Sequence, residues 1–167
     1  MLDTTMMLTV VIAVMIAALL GWLIYLQRKG RREEQQQQKS PSPLILQAYE
    51  RIALMTDRIA LPNLAARISP AGLSAREMQY VLTKTIRDEF DYNVTQQVYL
   101  APEIWNAVKG LKEKNLLIIN QIGSIVPETA SGADLLKAIL EFLMNDEKAN
   151  LHELVSEALS FEAKKHL

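Results

Sequence analysis

Residues 73–93 read LSAREMQYVLTKTIRDEFDYN, and their pattern decides the fold class. Ser74 with Glu77 three residues later is a capping box, and Leu73 ahead of the cap can staple to Met78. Met78, Val81, Leu82, Thr85, Ile86 and Phe90 then recur at steps of three and four, which places them on one face of a helix. The stretch predicts a helix from about Ala75 to Asn93. Its long apolar stripe needs other helices to cover it.

Those partners lie on both sides. Upstream, Ile45, Tyr49, Ile52, Met55 or Thr56, and Ile59 form an apolar face over Leu44 to Leu61, which Pro62 stops. Pro62 to Ile68 can add two helical turns before Ser69-Pro70-Ala71-Gly72 breaks the chain. Downstream, Val94 to Leu100 reads as a short extended link. Pro102 then opens a helix in which Glu103 favours the dipole. Trp105, Val108, Leu111, Leu116, Ile119 and Ile122 are its buried stripe, and Gly123 its stop. Ser131 with Asp134 marks another start, with Leu135, Leu136, Ile139, Leu140 and Leu143 as core face, ending at Asn145-Asp146. The final helix opens at Asn150, with Glu153 three residues on, and carries Leu151, Leu154, Val155, Ala158 and Leu159, with Phe161 as the candidate at its end. Residues 44–167 are therefore expected to be all-α, a small bundle of about five amphipathic helices around one core.

The amino-terminal region has a different character. Met6 to Leu26, MMLTVVIAVMIAALLGWLIYL, is a 21-residue run without charge or proline. As a helix it covers roughly 31 Å, the thickness of a bilayer's hydrocarbon core. Acidic Asp3 precedes the run, no Lys or Arg occurs before Arg28, and the core exceeds the apolar length of a signal peptide. The run reads as an uncleaved transmembrane helix. Arg28, Lys29, Arg31 and Arg32 follow at once, so the positive-inside rule puts residues 1–5 outside and the rest in the cytoplasm. Trp22 and Tyr25 suit the inner headgroup level. The expected organisation is a span over 6–26, a basic and Gln-rich linker over 27–43 (QRKGRREEQQQQKSPSP) and a cytoplasmic domain over 44–167. The expectation is a single-pass membrane protein, with the bilayer as a partner and the basic cluster over anionic headgroups.

Composition narrows the chemistry. Residues 44–167 hold 13 Lys and Arg against 16 Asp and Glu, a net of −3, which disfavours nucleic acid as a partner. The chain has no cysteine, so disulfides, thiol nucleophiles and Cys-bound zinc are excluded. The histidines are His152 and His166, and His152-Glu153 is not followed by the second histidine of a zinc-protease helix. Six glycines scattered at 21, 30, 72, 110, 123 and 132 make no phosphate loop. Asp88, Glu89 and Asp91 surround Phe90 as a solvated face. No catalytic, cofactor or metal residues are assigned. An enzyme would require a cleft joining Glu89, Tyr92 or His152.

Two features favour association. Ala13, Ala17 and Gly21 form a small-residue stripe through which two spans could pack as a homo-oligomer or scaffold. Between Ile86 and Trp105, polar Arg87, Asn93, Gln96 and Gln97 are interleaved with Phe90, Tyr92, Tyr99 and Trp105. Gln96, Gln97 and Tyr99 are the first choice for a protein contact, since rings bury area at low entropy cost while amides orient. The structural alternative is that Phe90 and Trp105 are core and Tyr99 packs a helix junction.

QAYERIALMTDRI (Gln47 to Ile59) and MQYVLTKTIRDEFDYNVTQQVYLAPEIWNAVK (Met78 to Lys109) also carry a resemblance. The chain resembles an uncharacterised family of bacterial single-pass membrane proteins with a helical cytoplasmic domain, from the anchor to about residue 145. The matching positions are Leu46 to Arg51, then Glu89, Phe90, Asn93, Gln96, Gln97 and Tyr99. The resemblance implies a single-pass topology in the bacterial inner membrane and a helical fold, and no activity. The functional expectation is a membrane-anchored helical interaction or adaptor domain that is not an enzyme.

Overall fold

A computed structural model of the chain describes residues 15, 18–29, 43–145 and 151–167. The chain divides into two compact units, Met1–Pro41 and Ser42–Leu167.

In the first unit, residues 18–29 are helical and exposed. The expected transmembrane helix is corrected here: among the described residues no helix is long and apolar enough to cross a membrane. A span needs roughly 20 consecutive apolar residues in one helix, and the described helical residues of this unit, 15 and 18–29, do not make one. Residues 6–14, 16 and 17 of the expected span lie outside the described residues. The inner-membrane location and the orientation drawn from that span lose their support with it.

The second unit is all helix apart from one isolated bridge, with no strand among the described residues. Its elements are α1 (Pro43–Ile59), α2 (Leu61–Arg67), α3 (Ala75–Asn93), a 3-10 helix (Val94–Tyr99), α4 (Pro102–Ile125), α5 (Gly132–Asn145) and α6 (Leu151–Lys164). Helix α3 packs against α1, α4 and α5, while α6 lies on α1 and α4. One core joins Ile52 and Met55 of α1, Met78, Leu82 and Ile86 of α3, Leu111 and Ile119 of α4, Leu135 and Ile139 of α5, and Val155 and Leu159 of α6. Each contributes one face of an amphipathic helix, so burying the stripes together removes apolar area that no single helix could hide.

Local chemistry sets the helix ends. The Ser74 hydroxyl accepts from Glu77 N and the Glu77 carboxylate accepts from Ser74 N at 2.9 Å, the two halves of the capping box. Ser131 and Asp134 repeat the arrangement at the start of α5, with Ser131 N donating to Asp134 at 2.9 Å. The chain closes the same turn ahead of both caps: Leu73 N donates to Pro70 O, and Ala130 N to Pro127 O. Gly72 holds the first turn with a φ of 76°, a left-handed conformation that costs glycine little. The two caps are then tied together. Ala75 N donates to Ala130 O at 3.0 Å and Gly132 N to Leu73 O at 2.7 Å, an antiparallel bridge centred on Ser74 and Ser131.

The link after α3 differs from expectation. Val94–Tyr99 is a 3-10 helix, not an extended segment. Both of its ends are anchored, by buried Asn93 and buried Leu100. Six residues at a 3-10 rise cover about 12 Å, whereas an extended strand would overshoot at about 20 Å. Strand-favouring Val, Thr and Tyr side chains yield to that tertiary distance.

Candidate functional site

Helices α1 and α3 leave a half-open cleft of about 580 Å³ between them. Arg51, Leu54, Met55 and Arg58 line it from α1, at the three- and four-residue steps that put them on one helical face. Thr85, Asp88, Glu89, Tyr92 and Asn93 line it from α3. The guanidinium of Arg58 spans the cleft, with Nη2 at 2.5 Å and Nε at 2.7 Å from Glu89 Oε1. Arg67 in turn donates to the Arg58 carbonyl at 2.6 Å. Asp88 is engaged by Lys84 one turn earlier, and the carboxylate beside its ammonium raises the Lys84 pKa. Among the described residues no carboxylate pairs with Arg51, so it is the unneutralised cation of the cleft.

At one end of α3 the polar wall becomes aromatic. Asn93 is 7% exposed and donates to Glu89 O at 2.9 Å, which fixes the end of the helix. Tyr92 beside it is 76% exposed, and the 3-10 helix that follows buries none of its residues. Val98 is 74% and Tyr99 41% exposed, Gln97 is exposed, and half-buried Gln96 reaches only Thr95 Oγ1 at 3.4 Å. Beyond the turn, Ala101 N donates to the Tyr49 hydroxyl at 3.3 Å, fastening the segment to α1. Large side chains thus stand in solvent on a backbone held at both ends.

The other sequence-derived candidates fare differently. Phe90 and Trp105 are core, stacked at 5.0 Å between centroids with the Lys112 ammonium 4.4 Å from the Phe90 ring. Tyr99, the alternative candidate for packing a helix junction, keeps 41% of its surface in solvent. Glu89 and Tyr92 do share a cleft, but His152 is not among its lining residues. His152 Nε2 lies 3.8 Å from Asp57 Oδ1 and 3.3 Å from Ser156 Oγ. Both neighbours address the same ring nitrogen, whereas a nucleophile relay needs serine and aspartate on opposite nitrogens. Among the described residues no group of three or more metal-ligating side chains comes together. Of the small-residue stripe, Gly21 is helical with open space around it, while Ala13 and Ala17 lie outside the described residues. Arg28 and Lys29 are helical and exposed, and Arg31 and Arg32 lie outside. Sequence reasoning passed over Leu54 and Val98, and met Arg51 only as a position of the resemblance. The spacing of Arg51, Leu54, Met55 and Arg58 was the available signal, but which helix they face is a tertiary matter.

No curated protein and no solved structure matches the chain significantly. A family model does, and it agrees with the resemblance to an uncharacterised family, although the membrane part of that resemblance is not supported. Over residues 1–166 the chain matches the family of unknown function DUF7935, and it belongs to that family.

Proposed function

We propose that the Ser42–Leu167 unit is a protein-interaction module that holds a partner on the face formed by Tyr92, Val98 and Tyr99, with Gln96 and Gln97 beside them. The observation that carries this reading is the exposure of Tyr92 at the end of α3 and of Val98 and Tyr99 on the pinned 3-10 segment, which buries none of its own residues. Such a surface is preorganised, so binding loses little additional entropy on ordering it. Tyrosines in this setting bury area while their hydroxyls keep a polar contact. The adjoining cleft adds Arg51 as a charged contact and Leu54 as an apolar one.

A cofactor-free enzyme is the second reading, favoured by the meeting of Glu89 and Tyr92 in one cleft. It is the weaker of the two. Glu89 already accepts twice from Arg58, which engages the carboxylate that a general base would need.

The test is photo-crosslinking of the full chain in the cells that make it, with the reactive group at Val98 and, as control, at exposed Glu141 on α5. A discrete adduct from position 98 is expected, with none of that size from 141. Tyr92→Ser together with Tyr99→Ser should remove the adduct while the helical signal is retained, a loss of about 2 kcal/mol or more for each ring acting as a hot spot. Identical adducts from both positions, or an adduct indifferent to the two substitutions, would overturn the assignment.

A further inference from the structure

Helix α6 runs antiparallel to α1, with His152 standing at Asp57 and the ring of His166 5.6 Å from that of Tyr49. Few of its side chains are fully buried, although Leu151, Ala158 and Ala163 also pack on the core. Only Val155 and Leu159 of α6 are buried, whereas α1 buries six residues and α4 eight. The fit is also incomplete: a half-open, mostly apolar cavity of about 230 Å³ remains between Leu46, Tyr49 and Ala53 of α1 and Leu159 and Ala163 of α6. Ala163 is the short side chain on the α6 side of that gap.

The rim has a matching deficit. Asp57 and Glu50 lie seven residues apart on α1, two turns along one helical face and about 10 Å from each other along the axis. Asp57 meets His152, but Glu50 borders the cavity together with uncharged Ser160. His152 and Ser160 are themselves about two turns apart, so the two acidic positions and the two α6 positions are in register.

We infer that the groove on α1 and α4 covered by α6 is a helix-receiving site, whose external occupant is an amphipathic partner helix. Its register is set by α6: large apolar residues where α6 has Val155, Leu159 and Ala163, and Lys or Arg where α6 has His152 and Ser160. Such a helix fills the cavity and pairs both rim carboxylates, which α6 does only in part. Helix-in-groove recognition reads this kind of repeat, and a helix held by few buried side chains is the one released at least cost.

The test uses the full chain and a fluorescent synthetic peptide of residues 151–167 carrying Ser160→Arg and Ala163→Leu. That peptide is expected to bind at least about tenfold more tightly than the unmodified 151–167 peptide. Glu50→Gln in the full chain should weaken it about threefold, the scale of one exposed ion pair. Because the chain has no cysteine, Ala53→Cys and Ser160→Cys can be joined by a short bis-maleimide to hold α6 in place, and binding should then be lost. A further variant, Ser160→Arg with Ala163→Leu in the chain itself, should raise the melting temperature and exclude the peptide without any crosslink. Equal binding to the crosslinked and open chains, or no binding of the modified peptide to the open chain, would overturn the inference.

Discussion

Asn115, 3% exposed in the middle of α4, donates its side-chain Nδ2 to the carbonyl oxygen of Ile59 at 2.7 Å. Ile59 is the last residue of α1, where the carbonyls of a helix run short of donors. Leucine at position 115 would fill similar space and leave that carbonyl unpaired in the core. Asn115→Leu is expected to lower stability by about 2 kcal/mol, read as an earlier urea midpoint with unchanged slope. Thr56 makes the opposite case, because its hydroxyl is buried without any hydrogen-bond partner. Thr56→Val keeps the shape and removes the unpaired group, so stability should hold or rise by up to about 1 kcal/mol. A clear loss in the valine variant would show that the hydroxyl is bonded after all.

Two helical glycines should respond in opposite directions. Gly110 lies within α4 with nothing within 4 Å of where a Cβ would stand, so Gly110→Ala should gain about 1 kcal/mol of helix propensity. At Gly132 the added carbon would come within 3.2 Å of both Leu73 O and Met78 Cβ. Leu73 O cannot easily retreat, since Gly132 N and Ala75 N hold the paired caps at hydrogen-bond distance. Gly132→Ala is expected to cost about 1–2 kcal/mol through overpacking. Melting temperatures in the order Gly110→Ala above wild type above Gly132→Ala would bear this out, and a reversed order would refute the close approach of the two loops.

The capping boxes make an acid-side prediction. Hydrogen bonds from the Ser74 side chain first, and from its backbone second, hold the Glu77 carboxyl below its ordinary range. Ser131 does the same for Asp134. A carboxyl whose folded pKa is lowered adds stability that is present above its unfolded value and fades as pH falls through the folded one. That window opens at about pH 4, the ordinary carboxylate value, and extends downward. Denaturation of the wild type and of Ser74→Ala with Ser131→Ala should therefore differ most near neutrality and converge in acid. A gap that stays constant from pH 7 to the acid limb would mean that neither carboxylate is linked to its cap.

Helix starts were legible because their causes are local. Ser74 with Glu77 and Ser131 with Asp134 announce α3 and α5, and the expected Ala75 to Asn93 helix has the bounds found. Pro62 ends one helix pattern and permits another, in agreement with α1 stopping at Ile59 and α2 running Leu61–Arg67. Errors arose where a local sign was overruled by longer-range geometry. Gly123 does not stop α4, which continues to Ile125; among the described glycines, Gly72 is the one with positive φ, and the Gln79 side chain lies over Gly123. Val94–Tyr99 coils because both its ends are anchored in the core. Hydropathy over Met6 to Leu26 suggested a span, yet spanning needs one helix of sufficient length, and the described helical residues do not supply it.

By itself, then, the sequence determined an all-helical unit with capped starts, proline-marked stops and one apolar face per helix. These follow from spacing within three or four residues, the range over which helical side chains and backbone groups meet. Tertiary structure alone decided which faces meet. Arg58 reaches Glu89 across 31 positions of chain and Asn115 reaches Ile59 across 56, separations that no periodicity records. The cleft between α1 and α3 and the cavity between α1 and α6 likewise join residues far apart in the chain. Packing selected them by burying one face of each long helix in a shared core.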